Sequence, residues 1–98
     1  MRAPEPAATA SELVQIFGLA VRQLREARGW SQEELAERSR LNRSYVGEVE
    51  RGRAIASLVT AEKLALALGV NIIGLFGHCD AITRARTVRG INLAAIAC

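Results

Sequence analysis

The segment 31–52 constrains the fold most, because it holds two short helix patterns separated by very few residues. Ser31 with Glu34 forms a capping box at the start of QEELAERS, and Asn42 is a favourable N-cap for RSYVGEVER. Gly52 is expected to end the second helix. Two helices of about two turns joined by so short a connection must cross closely, which requires small or aliphatic inward residues. Such residues occur at the required positions: Leu35, Ala36, Leu41, Val46 and Val49.

The remaining sequence predicts three more helices around this segment. Apolar residues at three- and four-residue steps predict a first helix that is capped at Thr9 and ends at Gly29. Ser57 is the expected N-cap of a fourth helix, and Asn71 begins a short fifth helix that ends before Gly77. With connections this short, we expect an all-α fold, a compact five-helix bundle.

The chain of 98 residues is long enough for one domain with a single modest core. We divide it into a disordered leader, residues 1–8, and a folded domain, residues 9–77. The last segment, residues 78–98, is a tail whose sequence fits a frayed helix, a partner-binding arm or disorder.

Basic residues exceed acidic ones by three, and all but Lys63 of the thirteen basic residues are arginines. The arginine side chain is a planar fork that suits phosphate oxygens and guanine edges better than lysine does. An arginine-rich proteome encoded by a GC-rich genome would show the same bias, so composition alone does not decide between these explanations.

Several functional classes find no support in the sequence. The single His78 and the two cysteines, Cys79 and Cys98, do not have metal-ligand spacing, and no nucleophile–base pair or phosphate loop points to an enzyme. No run approaches the roughly 20 apolar residues of a membrane span, and the N-terminus has no signal-peptide pattern. We therefore expect a cytoplasmic protein that is not an enzyme, has no metal or cofactor, and has no evident small-molecule effector.

Residues 13–76 resemble the Cro/repressor-type helix-turn-helix family, also called the xenobiotic-response-element family. The stretches that carry the resemblance are LREARGWSQEELAERS, YVGEVERG and SLVTAEKLALALGVNIIGLF, and LNRSYVGEVERGR is similar to restriction–modification controller proteins. The resemblance implies a lambda-repressor-like DNA-binding bundle with the helix-turn-helix at helices 2 and 3.

The resemblance also implies roles for individual residues. Base contacts would come from Arg43, Ser44, Tyr45 and Glu48, and phosphate contacts from Gln32, Arg51 and Arg53. For Tyr45 packing on the helix edge remains an alternative, and Glu48 would either accept from a cytosine amino group or hold Arg43 in place. Arg25 and Glu50 are expected to form a structural ion pair between helices 1 and 3.

Two positions depart from the pattern of the family. Arg40 stands in the turn where the family usually has glycine, and Ile55 and Ala56 stand where a polar residue and proline are common. If Arg40 is left-handed, its conformation costs about 1 kcal/mol or more. Ile55 is expected to be exposed or to lie against a partner.

The predicted function is sequence-specific binding of double-stranded DNA as a transcriptional regulator. A homodimer would bind an inverted-repeat operator, with residues 43–51 in the major groove. The apolar residues of helix 5 exceed what a short helix can bury and predict a dimer interface, with packing in the chain's own core as the alternative: Ile72, Ile73, Leu75 and Phe76. The alternative is an antitoxin-like or adaptor subunit whose tail, residues 78–98, binds a partner protein.

Overall fold

The computed structural model describes the backbone of residues 6–97 and the side chains of residues 12–87. Its five helices are α1 (Pro6–Ala27), α2 (Gln32–Ser39), α3 (Arg43–Glu50), α4 (Leu58–Ala67) and α5 (Ile72–Ala97). No strand occurs within residues 6–97, and the helices pack as one compact bundle. The prediction of an all-α five-helix bundle is therefore confirmed.

The predicted N-caps of the middle helices are present. The Ser31 side chain accepts from the Glu34 backbone N–H, the Asn42 side chain from that of Ser44, and the Ser57 side chain from that of Thr60. Each bond satisfies a backbone donor that the first turn of a helix would otherwise leave unpaired. These caps fix where α2, α3 and α4 begin.

The two ends of the bundle differ from the sequence prediction. Helix α1 begins at Pro6, so it includes Thr9 and residues 6–8 of the predicted leader. The rest of that leader, residues 1–5, lies outside the described residues. Helix α5 continues through Gly77 to Ala97, because Cys79 and Ile82 pack on the core beyond that glycine. Such packing outweighs the roughly 1 kcal/mol by which glycine weakens a helix.

The core joins all five helices and is almost entirely aliphatic. Its fully buried larger residues come from α1 to α5: Val21, Leu35, Val46, Val49, Leu64, Leu68 and Leu75. Helices α1 and α3 approach each other most closely at Gly18, where a Cβ atom would lie 2.2 Å from the Val49 carbonyl oxygen. Only glycine permits this approach, so α1 sets how deeply α3 sits in the bundle.

Leu75, which we expected in a dimer interface, is fully buried in the core of its own chain. A partner could not contact it, and this part of the interface prediction is wrong. The cause is the position of α5, which packs against both α1 and α4 and turns Leu75 into the core. Leu13, one of the apolar residues whose spacing predicted α1, is 57% exposed.

Among the described residues, no single helix has both the length and the apolar character to cross a membrane. Only the pair Leu58–Ala67 and Ile72–Thr87, bent by 91°, reaches that length and composition together.

Candidate nucleic-acid interface

Helix α3 is fixed to α1 and α2 by one buried polar cluster. Arg25 on α1 donates from Nε to Glu50 Oε2 at 2.7 Å and from Nη2 to Glu50 Oε1 at 3.0 Å. A third donor, Arg25 Nη1, reaches the Trp30 carbonyl oxygen at 2.6 Å. The ion pair predicted between Arg25 and Glu50 is thus present, as a fork of two parallel hydrogen bonds.

Burial makes this cluster structural. The Glu50 side chain is 2% exposed and that of Arg25 is 11% exposed. The hydrogen bond to Glu50 raises the pKa of Arg25 further above its ordinary range, even though desolvation acts in the opposite direction. Removal of either partner would leave an uncompensated buried charge, so the pair fixes the C-terminal end of α3.

Gln32, predicted to contact phosphate, also belongs to this cluster. Its Nε2 donates to Glu50 Oε1 at 3.0 Å, and the side chain is only partly exposed. The side-chain amide has a second N–H, and the residue stands at the first position of α2, where backbone N–H groups point outward. Gln32 therefore links the buried cluster to a helix terminus that favours anions.

The outward side of α3 begins with Arg43 and Ser44, both exposed at the first turn of the helix. The described salt bridges do not engage Arg43, so its guanidinium is available to a ligand. Tyr45 is half-buried and packs against the core, which matches the packing alternative for its ring. Arg43 and Ser44 are the most accessible residues of the predicted base-contacting set.

Glu48 pairs with Arg51 one turn further along α3, not with Arg43 as one alternative held. Both side chains are close to half exposed, at 41% and 50%. The hydrogen bond from Arg51 lowers the pKa of the Glu48 carboxyl, and the charges of Arg51 and Arg53 add to this effect. The carboxylate is therefore ionised at neutral pH and restrains Arg51.

Three predicted phosphate-contacting residues lie around the two ends of the motif. A Cβ atom placed on Gly47 would lie 3.2 Å from Arg51 Nη2 and 3.4 Å from Gln32 Oε1, which shows that both side chains converge there. Arg53 is exposed just after α3, and its backbone N–H donates to the Glu48 carbonyl oxygen at 2.9 Å. The arrangement combines a helix N-terminus with two guanidinium groups.

The turn between α2 and α3 has the strained residue that the sequence raised as a question. Arg40 has φ 58° and ψ 42°, and among the described residues only it has a positive φ without being glycine. Its backbone N–H donates toward the carbonyl oxygens of Ala36 and Glu37 and closes α2. The left-handed conformation is thus established, at a cost of about 1 kcal/mol or more.

Sequence reasoning missed the surroundings of Trp30. The guanidinium carbon of Arg38 lies 4.2 Å from the ring centroid, and that of Arg28 lies 5.6 Å from it. Both distances fall within the range of cation–π attraction. The indole also packs against the core.

Of the other predicted interface residues on α5, Ile73 is 77% exposed and Phe76 is 38% exposed, whereas Ile72 is partly buried against the core. The Phe76 ring lies 6.1 Å from the Phe17 ring, centroid to centroid, with the two planes tilted by 47°. Phe76 also lines an open apolar groove of about 170 Å³. The groove is framed by residues of α1, the α3–α4 loop and α4: Leu13, Val14, Ala54, Ile55, Ala56, Leu58 and Ala61. Ile55 is 78% exposed, as its position in the loop predicted.

Comparison with known proteins places the chain in a family. Residues 21–75 match the family model described as helix-turn-helix. Control protein C.BamHI from Bacillus amyloliquefaciens is 45% identical over 71 residues, which are 66% of this chain and 88% of that protein. Other curated relatives are longer, and the matched part spans only 56% and 42% of two of them.

Solved structures agree with the sequence matches. The restriction–modification controller protein C.AhdI from Aeromonas hydrophila has 53% identity and a TM-score of 0.62, over 65% of this chain and 96% of that one. The controller protein C.Esp1396I, solved as a tetramer in complex with its natural 35 base-pair operator, has 25% identity and a TM-score of 0.67. That match covers 70% of this chain and 91% of the other. The chain belongs to the helix-turn-helix family and is similar to restriction–modification controller proteins.

Proposed function

We propose that this chain is a sequence-specific transcription regulator that binds double-stranded DNA as a homodimer and places residues 43–51 in the major groove. One observation carries the proposal: α3 is fixed from behind by the buried Arg25–Glu50 pair while Arg43 and Ser44 at its first turn are exposed. A rigid helix with free polar side chains at its N-terminal end can read base edges.

The residues divide into those that choose a sequence and those that add affinity. Arg43 suits the O6 and N7 atoms of guanine, a contact that discriminates against a wrong base by about 1–3 kcal/mol. Ser44 and Tyr45 flank it, and Glu48 would accept from a cytosine amino group once Arg51 turns to a phosphate. Gln32, Arg51 and Arg53 would bind backbone phosphates and add affinity without choosing a sequence.

The proposed homodimer uses the apolar surface beside α5. Ile73 and Phe76 remain from the predicted set, and the groove rim adds Leu13, Ile55 and Leu58, which are 57%, 78% and 73% exposed. Burial of these apolar side chains against a second copy gains about 25 cal/mol for each Å² removed from water. Two-fold symmetry would then set two α3 helices against one face of the duplex.

Selection of bound sites from random duplex DNA tests the function directly. The expected result is an inverted repeat whose half-sites lie about 10 bp apart or a multiple of that distance. Arg43→Ala is expected to lose the preference at one base pair of each half-site. If wild type shows no salt-dependent affinity for any duplex, the proposal is wrong.

Dimerisation is tested with a matched pair of variants on exposed apolar positions. Ile73→Glu places an acid in the first turn of α5, where the helix dipole favours it, and is expected to give a folded monomer in sedimentation equilibrium. Leu66→Gln changes a residue of α4 that is 62% exposed and does not line the groove beside Phe76, so it should leave the dimer intact. A dimer of unchanged stability in Ile73→Glu would contradict this interface.

An antitoxin-like or adaptor role remains a second candidate, because α5 continues past the bundle and residues 83–87 are exposed along it. Under this alternative, deletion of residues 83–98 would abolish capture of a partner protein while Arg43→Ala would have no effect. Under the DNA-binding proposal the two variants behave in the opposite way toward an operator.

A further inference from the structure

A second groove lies between the C-terminal end of α2 and α4. Its volume is about 300 Å³, and its lining comprises Arg38, Ser39, Arg40, Lys63, Leu66 and Ala67. Three of these six residues are cationic and none is acidic. Leu66 is 62% exposed, so the groove combines an apolar floor with three positive charges.

The backbone conformation of Arg40 is a second, independent observation that points to this groove. Its backbone is held at φ 58°, where glycine would cost nothing and arginine costs about 1 kcal/mol or more. Backbone strain of this kind indicates a functional role for the arginine side chain, and that side chain lines the groove.

Arg38 is already ordered on the other side of the groove. It lies over the Trp30 ring at 4.2 Å and pairs with Glu34 at 3.8 Å, which restricts its rotamers before any ligand arrives. Less conformational entropy is therefore lost on binding than for a freely rotating arginine. The stack also points to a surface built in advance.

The groove is separate from the proposed DNA-contacting end of α2. Arg38 is six residues along the helix from Gln32, a rise of roughly 9 Å. We propose that this groove docks a protein partner through an acidic segment carrying one exposed apolar side chain, with the carboxylates at Arg38, Arg40 and Lys63 and the apolar side chain on Leu66. A regulator could hold such a partner while α3 is on DNA.

The experiment uses a short fluorescein-labelled peptide in which Glu and Asp flank a single central leucine, and it measures fluorescence anisotropy with the full chain. We expect a Kd on the order of 10–100 µM, appropriate to a small exposed surface. Arg40→Gly should weaken binding about threefold, and Arg40→Gly with Lys63→Gln about tenfold. Arg40→Gly is a safe variant, because glycine adopts this backbone without strain.

The control variant is Arg22→Ala, which removes one arginine from the exposed face of α1, where it pairs only with Glu26. It changes the net charge as Arg40→Gly does and should leave peptide affinity unchanged. A second peptide with Lys in place of every acid should not bind.

Three results would overturn the proposal: no binding by wild type, equal binding of the Lys peptide, or unchanged affinity in Arg40→Gly. A parallel titration with random duplex DNA tests whether these cations contact DNA phosphates instead. If Arg40→Gly loses as much affinity for DNA as Arg43→Ala does, these cations contact phosphates and the protein-docking assignment is wrong.

Discussion

Two glutamates of α3, Glu48 and Glu50, each pair with an arginine, but one pair is exposed and the other is buried. Glu50 is buried against Arg25 of α1, whereas Glu48 pairs with Arg51 at the surface with both side chains close to half exposed. The buried pair joins three segments of the chain, and the exposed pair joins neighbours on one helix. The comparison teaches that one side of α3 maintains the fold and the other is free to exchange partners.

The largest effect should come from the buried pair. Glu50→Ala leaves Arg25 without its carboxylate and is expected to lower the free energy of unfolding by about 3–5 kcal/mol, measured by urea denaturation. The control is the double variant Arg25→Met with Glu50→Ala, which removes both charges and should recover part of the loss. A single variant that loses less than about 1 kcal/mol would show that the pair is dispensable.

The second-largest effect is expected from Arg43, at the exposed first turn of α3. Arg43→Ala should reduce affinity for the selected operator by about 1–3 kcal/mol and relax preference at one position of each half-site. Its unfolding free energy should stay within about 0.5 kcal/mol of wild type, because the side chain is exposed. A large loss of stability would place Arg43 in the fold and contradict the division between the two sides.

The third prediction concerns the exposed pair itself. Arg51→Ala should weaken binding to every duplex alike and reduce the slope of log K against log salt by about 0.9. Glu48→Gln should act in the opposite direction on nonspecific affinity, because it frees Arg51 and removes a negative charge facing phosphates. Equal slopes in wild type and Arg51→Ala would exclude a phosphate contact.

The pH dependence of the exposed pair has a definite sign. The pKa of Glu48 is lowered in the folded state, so its stabilising contribution is present above its ordinary value of 4.5 and is lost as pH falls through the lowered pKa. The difference in Tm between wild type and Glu48→Gln should therefore shrink on acidification. A difference that grows at low pH would contradict the pairing with Arg51.

The smallest effect is expected at the strained turn. Arg40→Gly should raise the free energy of unfolding by about 0.5–1 kcal/mol, because glycine relieves the left-handed conformation. Arg40→Ala keeps a Cβ atom and should gain almost nothing. Equal stabilities for both variants would show that the side chain, not the backbone, sets the balance.

Local chemistry in the sequence predicted the elements that depend on neighbours along the chain. Ser31, Asn42 and Ser57 are caps whose partners lie two or three residues away, so the sequence alone could place them. The Arg25–Glu50 pair spans 25 positions, and its prediction came from resemblance.

The errors concern contacts that no local pattern encodes. Gly77 matched a helix terminus, but a Cβ atom there would meet nothing within 4 Å, and packing beyond it carries α5 onward. The same packing buries Leu75, which we had assigned to a partner. Arg28 lies two residues before Trp30 and Arg38 eight residues after it, and only the folded structure shows that both guanidinium groups lie over the ring.

The close approach at Gly18 has a genetic consequence. Residue 18 is expected to touch no nucleotide, yet any larger side chain there must displace α3 at Val49 and so shift Arg43 relative to a bound duplex. If α3 binds DNA as proposed, substitutions at Gly18 would alter the choice of DNA site without altering any residue that contacts a base. The atoms that such a side chain would meet are backbone atoms of Val49 and Glu50, so no smaller side chain on α3 would restore the spacing. Mutations on α1 could thus change which DNA sites the protein binds, even though α1 lies behind the residues proposed to contact bases.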